Sequence, residues 1–563
     1  MVDVAQQGVG STNQLEFTVQ TPPPPAITAL APNTATAGAA AFTLTVTGTN
    51  FFNDSKIQWN GTDRTTTFAS GTQLTAAIAA ADFATVGSAN VTVVNPANEG
   101  GASAAIAFSI AAPPVQPGII QLISATPAGA EGDKPSYRPW VSGDGRYVAF
   151  PSAATDLISA DTNAAVDVFL RDTCVGVAAG CAPATSRVSV QNNGSELPYG
   201  TYSDFTAMST SARLVAYDYG YGYEADLRDT CVSIPSGCTP STAPVSVPNG
   251  GGAAVQVLPG ITISADGRFV GFTSDSTSLV AGVTVARQSY VRDTCSSTTG
   301  PIGGCTPGTT HASIGNGGTA TIPSNGGFMH AISKSGRYVL FHALAANVMP
   351  PGVATDGRNH LYMRDTCTGV VSACTPVTTM IDVAVDGTTE GNSGVGGSSD
   401  PASISDDGRY VLFESTSNNL VAGTPVGTPA EVYLRDTCNG VASGCVPSTI
   451  LVSTTDGGVG ATWSNYIGTK SMTSDGRFVT FVSSNPATPA QQQIYVRDLC
   501  LNAGSSCTLS TTKVSVDPSN MAGTAPGFQL PSISADGHYV AFTRTSSGGF
   551  AGTPQVFLAK TGY

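Results

Sequence analysis

The sequence predicts an all-β protein, and three observations carry that prediction. Charged residues make up only 11% of the 563, too few for the solvated faces of many helices. Gly (64) and Pro (36) punctuate the chain at short intervals, and the apolar runs between them alternate with a period of two. Repetition is the third observation. After residue 118 a run ending in an aromatic residue returns seven times at fairly regular spacing, as repeat architectures require.

Taken in order, residues 1–21 read as two strands around a Gly-containing loop. They resemble the closing stretch of the next unit, NVTVVNPANEGGASAAIAFSI at 90–110. They are expected to be the last hairpin of a domain whose earlier strands are absent, lying on its neighbour or exchanged with another copy of the chain. The prolines at 22–25 form a stiff extended linker. Residues 26–112 carry about seven short β runs, among them AITALAP, FTLTVTGTNF, SKIQWNG and QLTAAI. The opening I-x-x-L-x-P, the V-x-G-x-N-F step and the closing V-x-V-x-N-P … F-x-I resemble the IPT/TIG family of immunoglobulin-like domains. That resemblance implies a β-sandwich acting as spacer or interaction module. A second proline-rich linker covers 113–117.

From 118 to 563 the repeat takes over. Its marker reads SGDGRYVAF at 142–150, STSARLVAY at 209–217, SADGRFVGF at 264–272, SKSGRYVLF at 333–341, SDDGRYVLF at 405–413, TSDGRFVTF at 473–481 and SADGHYVAF at 534–542. Most copies continue with a run such as DVFLRD or VYLRD, then a Cys pair, then a run such as RVSV or KVSV. Four strands per unit is the arrangement of a propeller blade. The motif resembles the bacterial TolB-type, WD-like propeller repeat, which implies a fold and no single activity. The last unit stops at Tyr563 before its fourth strand, and IIQLIS at 119–124 supplies a candidate for it. The expected architecture is therefore a seven-bladed β-propeller of four-stranded blades, closed by pairing of its N- and C-terminal strands. Such closure removes free strand edges.

Twelve cysteines pair by spacing: Cys174/Cys181, Cys231/Cys238, Cys295/Cys305, Cys367/Cys374, Cys438/Cys445 and Cys500/Cys507. Zinc would need two pairs or histidines converging, whereas these pairs fall in separate repeats and the five His are scattered. Disulfides are expected, each stabilising by roughly 2–3 kcal/mol, in an oxidising compartment outside the cytoplasm. The opening MVDVAQQGVG has no signal-peptide character, which is compatible with secretion if residue 1 is not the native start. A formal charge of −14 argues against nucleic acid, which needs basic patches, and no run of about 18 apolar residues exists to span a bilayer.

Candidate sites are few. The turn aspartates Asp144, Asp266, Asp407, Asp475 and Asp536 suit tight turns for backbone reasons. The pairs Arg171/Asp172, Arg228/Asp229, Arg292/Asp293, Arg364/Asp365, Arg435/Asp436 and Arg497/Asp498 recur and so are expected to order the repeat. Asp161, Asn163 and Asp167 form a partial calcium-loop pattern, against the alternative of a solvated polar loop; no other cofactor is expected. Tyr199, Tyr202, Tyr219, Tyr221 and Tyr223 cluster in the second repeat, either as a contact surface or as local packing. No H-E-x-x-H, phosphate-cradling loop or Ser/His/Asp set can be nominated, and only Trp59, Trp140 and Trp463 are available for an aspartate-box or quinone-type propeller. The expectation is a non-enzymatic extracellular structural or adhesive protein, self-associating head to tail. A surface protein that binds a glycan or peptide is the alternative, and a propeller hydrolase or lyase is a third reading.

Overall fold

In the computed structural model the chain divides into two compact units, Met1–Val115 and Gln116–Tyr563. The structure describes residues 22–36, 41–83, 87–96, 98–111, 120–159, 161–163, 165–177, 181–197, 206–218, 224–234, 236–316, 326–344, 348, 357–370, 373–393, 402–424, 430–441, 443–454, 466–468, 470–485, 488–503, 507–515, 528–545 and 553–563. The hairpin expected at 1–21 lies outside them.

In the first unit, one sheet orders Ala26–Ala31, Phe42–Thr49, Gln73–Ile78 and Thr66–Ser70. The other orders Thr34–Thr36, Ile106–Ala111, Gly87–Val94, Lys56–Trp59 and Thr62–Asp63. Alternation sends Leu44, Val46, Leu74 and Ile78 from the first sheet, and Ile57, Trp59, Val91 and Phe108 from the second, into one core. Trp59 and Phe108 meet there at 5.0 Å between ring centroids.

The second unit is a succession of antiparallel sheets. Trp140–Val141, Tyr147–Ser152, Asp167–Asp172 and Ala184–Arg187 pair in that order as the first. The second to fifth sheets span Thr206–Pro244, Leu258–His311, Gly326–Met380 and Ala402–Leu451, each with four strands in sequence order. The sixth departs from four. Among the described residues it has Phe478–Asn485, Thr488–Asp498 and Ser510–Lys513, its inner stretch joined by the bridges Tyr466–Val482 and Met472–Val479. The seventh orders Phe528–Ile533, Tyr539–Thr545 and Pro554–Lys560, with Ile120–Leu122 as its outer strand. Ile120 pairs with Ala559 and Leu122 with Phe557, so the two ends of the unit meet in one sheet.

The repeated motif explains the packing. In six sheets the aromatic that ends the second strand faces an aromatic on the third, as Phe150 faces Phe169 and Phe413 faces Tyr433, with ring centroids 5.8–6.2 Å apart. The turn glycine makes room for the neighbouring sheet. Gly408 holds a positive φ of 78°, and a Cβ there would stand 2.0 Å from Tyr338 of the fourth sheet. Gly145 of the first sheet meets Tyr539 of the seventh in the same way, at 2.2 Å. Only glycine fits both the backbone and the contact. Main-chain bonds between the turns follow the same path, from Gly143 N to Thr210 O (2.8 Å), Thr210 N to Ala265 O (2.9 Å) and Asp536 N back to Gly143 O (3.4 Å).

Candidate functional site

The Cys-bounded loops are closed by disulfides in all six pairs: Cys174–Cys181, Cys231–Cys238, Cys295–Cys305, Cys367–Cys374, Cys438–Cys445 and Cys500–Cys507. An aspartate stands close to each of the first five pairs, in principle a metal-ligating group, but the sulfurs are already bonded to one another. The bridges are more than staples, which the spacing did not predict. Cys507 Sγ accepts from Arg477 Nη2 at 3.7 Å and lies 3.6 Å from Asp498 Oδ2. Cys507 therefore belongs to a polar unit as well as to a closed loop, and Cys238 sits likewise beside Arg213 and Asp229.

In that polar unit the Arg and Asp that adjoin in sequence have different partners. Adjacent strand residues point to opposite faces, so Asp172 turns away from Arg171. It meets Arg146 of the turn instead, in a two-pronged contact at 3.0 and 2.7 Å. Asp172 also receives Cys174 N at 2.9 Å, while Arg171 donates to Thr185 Oγ1 at 2.9 Å. Burial raises the Asp172 carboxyl, but hydrogen bonds from Arg146 and Cys174 outweigh it and hold the group below its ordinary range. Arg213/Asp229, Arg268/Asp293, Arg337/Asp365, Arg409/Asp436 and Arg477/Asp498 repeat the pairing. The turn aspartates are likewise engaged: Asp144 accepts from Ser142 Oγ at 2.6 Å and from Arg146 N at 3.0 Å.

A cavity of about 60 Å3 is lined by the inner strands and following turns of six of the seven sheets. Trp140, Met208, Ile263, Ile332, Ile404 and Met472 give it apolar walls, and Thr210, Thr262, Ser403 and Ser474 add hydroxyls. Its charged lining residues are Lys470 and Asp406. Lys470 reaches from the sixth sheet to the first, donating from Nζ to Val141 O at 2.8 Å, with the Trp140 ring centroid 5.9 Å away. Burial, only partly offset by Asp406, Asp536 and Asp144, brings its amine down to about 8. Asp406 is raised by burial against the pull of Lys334 and Lys470. Sequence reasoning missed Lys470. Its signal was a charge on an inner strand where the matching runs carry Pro139, Thr206, Ile261, His330, Ala402 or Pro531.

Three of the five histidines gather in the fourth sheet. His330 Nε2 and His342 Nδ1 stand 2.6 Å apart on adjacent strands of the fourth sheet, and Phe328 stacks on His342 at 4.9 Å. Burial pushes His342 down to about 4, and burial with its neighbour holds His330 well below the usual value, so both rings are neutral at neutral pH. In the same sheet the buried His360 stands between Asp382 (2.7 Å) and Glu390 (3.4 Å).

The calcium-loop residues lie around a guanidinium. Arg187 is 3.7 Å from Asp161, 3.4 Å from Asp167 and 2.6 Å from Glu196. Asn163 accepts from Ala165 N and donates to Leu197 O. Arg187 thus sets a positive charge beside both carboxylates, and burial raises Asp161 and Asp167. Tyr199, Tyr202, Tyr219, Tyr221 and Tyr223 lie outside the described residues. Tyr217, on the strand between Tyr202 and Tyr219, is buried opposite Asp226.

Comparison with known proteins adds a family for one segment. Residues 25–110 match the IPT/TIG domain. No curated protein matches the chain. Among solved structures, TolB from Acinetobacter baumannii is similar at 12% identity, covering 62% of this chain and 57% of that one, with a TM-score of 0.28. An auxiliary nutrient binding protein from Bacteroides ovatus is similar at 11% identity over 96% of this chain and 99% of that one (TM-score 0.33). The β-propeller domain of Cps50 (Swd1) from Myceliophteria thermophila is similar at 10% identity, covering 75% and 96% (TM-score 0.33).

Proposed function

We propose that the chain is an extracellular, non-enzymatic binding protein. A seven-bladed propeller, stapled by its disulfides and closed by its terminal strands, holds one projecting group of a ligand in the axial cavity. The IPT/TIG domain serves as spacer. The observation that carries this reading is the convergence of six inner strands on a pocket with one amine, one carboxyl and an aromatic wall. Such convergent polar groups in an apolar setting are the usual form of a small binding site. A volume of about 60 Å3 takes a few waters, so the pocket suits an acetamido- or hydroxymethyl-sized group on a glycan or peptide. Six disulfides fit an oxidising compartment, and no helix among the described residues is long and apolar enough to cross a membrane.

Glycan and peptide arrays probed with the native chain and with Lys470→Met test the proposal. Binding to a defined group that falls at least tenfold in the variant supports it; binding that ignores the substitution sinks it. The likeness of residues 1–20 to 90–110 favours one further reading, head-to-tail assembly through a strand-exchanged hairpin. Filaments in negative-stain electron microscopy that vanish when residues 1–21 are deleted would establish it, and dispersed particles in both samples would remove it.

A further inference from the structure

Three seams between consecutive sheets carry the same clamp. The carboxamide of Asn192 accepts from Thr242 N at 2.6 Å and donates to Thr242 O at 3.0 Å. It meets the outer strand of the second sheet as the main chain of another strand would. Asn249 treats Thr309 alike, at 2.7 and 2.6 Å, and Asn316 treats Thr378 alike, at 2.7 and 2.6 Å. Each threonine hydroxyl also donates to a carbonyl two residues before the Asn, at Val190, Val247 or Ile314. An outer strand otherwise presents N–H and C=O groups that template pairing with another chain. The carboxamide caps one such pair.

At the seam between the fourth and fifth sheets the clamp is missing. Val385 follows Asp382 by three residues, as Asn249 follows Ser246. Its main chain docks as that of Asn249 does: Asn249 N donates to Leu279 O at 3.0 Å and Val385 N to Asn419 O at 2.9 Å. Thr449 keeps the register of the clamped threonines. It lies opposite Arg435 as Thr242 lies opposite Arg228, and each arginine donates to its threonine hydroxyl, at 3.0 Å in both. The N–H and C=O of Thr449 therefore face outward, and among the described residues no carboxamide meets them. The surroundings are apolar, with Val385 68%, Val446 79% and Ile450 42% exposed. Three other seams also lack the Asn: Asp456 and Pro518 hold its place after the fifth and sixth sheets and lie outside the described residues, and Pro127 holds it after the seventh, where the next outer strand exposes Ala184 and Ser186.

We propose that the edge Ser448–Leu451 docks an extended peptide segment of a partner protein, which adds to the fifth sheet as a further strand. The three clamps define the chemistry of the occupant: one amide N–H and one C=O within 2.6–3.0 Å of the threonine main chain. A peptide backbone carries that group. Side chains alternating along the peptide would pack on Val385, Val446 and Ile450, so β-branched residues suit it best. A bare, apolar edge is an aggregation hazard that one Asn removes at three other seams, and leaving it uncapped is consistent with use.

The probe is a labelled peptide of alternating Thr and Val, seven residues long and blocked at both ends, together with two versions N-methylated at alternate amides. Binding to the full oxidised chain is read by fluorescence anisotropy, and amide exchange at Thr449 by mass spectrometry. Expected are micromolar binding of the plain peptide, at least tenfold weaker binding of one N-methylated version, and slowed exchange at Thr449 in the complex. Val385→Asn installs the clamp of the other seams and should weaken binding at least tenfold while protecting Thr449 in the free protein. No binding at millimolar peptide overturns the proposal, as does binding unaffected by Val385→Asn or by both methylation patterns. A dimer of the free chain that Val385→Asn dissolves would also overturn it, because the occupant would then be a second copy.

Discussion

Asp226 should make the stability of the second sheet fall as pH rises through neutrality. In the other six sheets the equivalent residue is an aromatic, among them Phe169, Tyr290 and Tyr433, stacked on its cross-strand partner. Here Tyr217 faces a carboxyl that is 6% exposed. Burial, and then the charge of Glu224, raises that carboxyl to about 7. A folded-state value above the unfolded one contributes stability that is complete below pH 3.8 and lost as pH climbs through about 7. A rise of about three pH units corresponds to at most about 4 kcal/mol, and local relaxation around the charge brings the expected loss to about 2–4 kcal/mol. Asp226→Asn cannot ionise, and Asp226→Tyr restores the aromatic pair. Urea unfolding followed by circular dichroism between pH 4 and 8, with disulfides intact, measures the outcome. Asp226→Asn should match the native chain at pH 4 and exceed it by about 2–4 kcal/mol at pH 8. Other titrating groups cancel in the difference. A gap that stays constant across this range would refute the reasoning.

Two substitutions elsewhere test the repeat itself. Ala212 occupies the place of the turn glycine with a φ of 61°, a conformation that costs an L-residue about 1–2 kcal/mol. Ala212→Gly should therefore stabilise by about 0.5–1 kcal/mol after the entropy of the added glycine, and a lowered unfolding midpoint would contradict that. Replacing Cys367 and Cys374 together by Ser opens a loop with a sequence separation of 7 and should cost about 2–3 kcal/mol. The comparison is made in thermal unfolding under oxidising conditions, where an unchanged midpoint would show that the Arg337–Asp365 contact already fixes the loop.

What could be read from the sequence depended on whether a signal was local or lay across strands. The turn motif names its own geometry, because Asp-Gly fixes the turn and the aromatic after Arg must rest on a neighbouring glycine; repetition then reveals the succession of sheets. The match of Ile120–Leu122 to the last sheet was legible because one strand was missing at one end and spare at the other. The partnership of Cys500 with Cys507 was legible from spacing, but the approach of Cys507 to Arg477, 30 residues back, was not. Cross-strand partners were hidden in the same way. Arg171 and Asp172 read as a pair because they adjoin, yet strand alternation separates them and gives Asp172 to Arg146, 26 residues away. His330 and His342 meet across two strands beside a bulge between Met329 and Ala331, and no spacing rule marks a bulge. The Asn clamp lies between these cases. The runs SVQN, SVPN and SIGN carry it in plain view at 189–192, 246–249 and 313–316, but its partner is a threonine in the following sheet, 50 to 62 residues on. Only that pairing gives the Val at 385 its meaning. A departure from a repeat is informative once the work of the repeated residue is known, and here that work is to cap an edge.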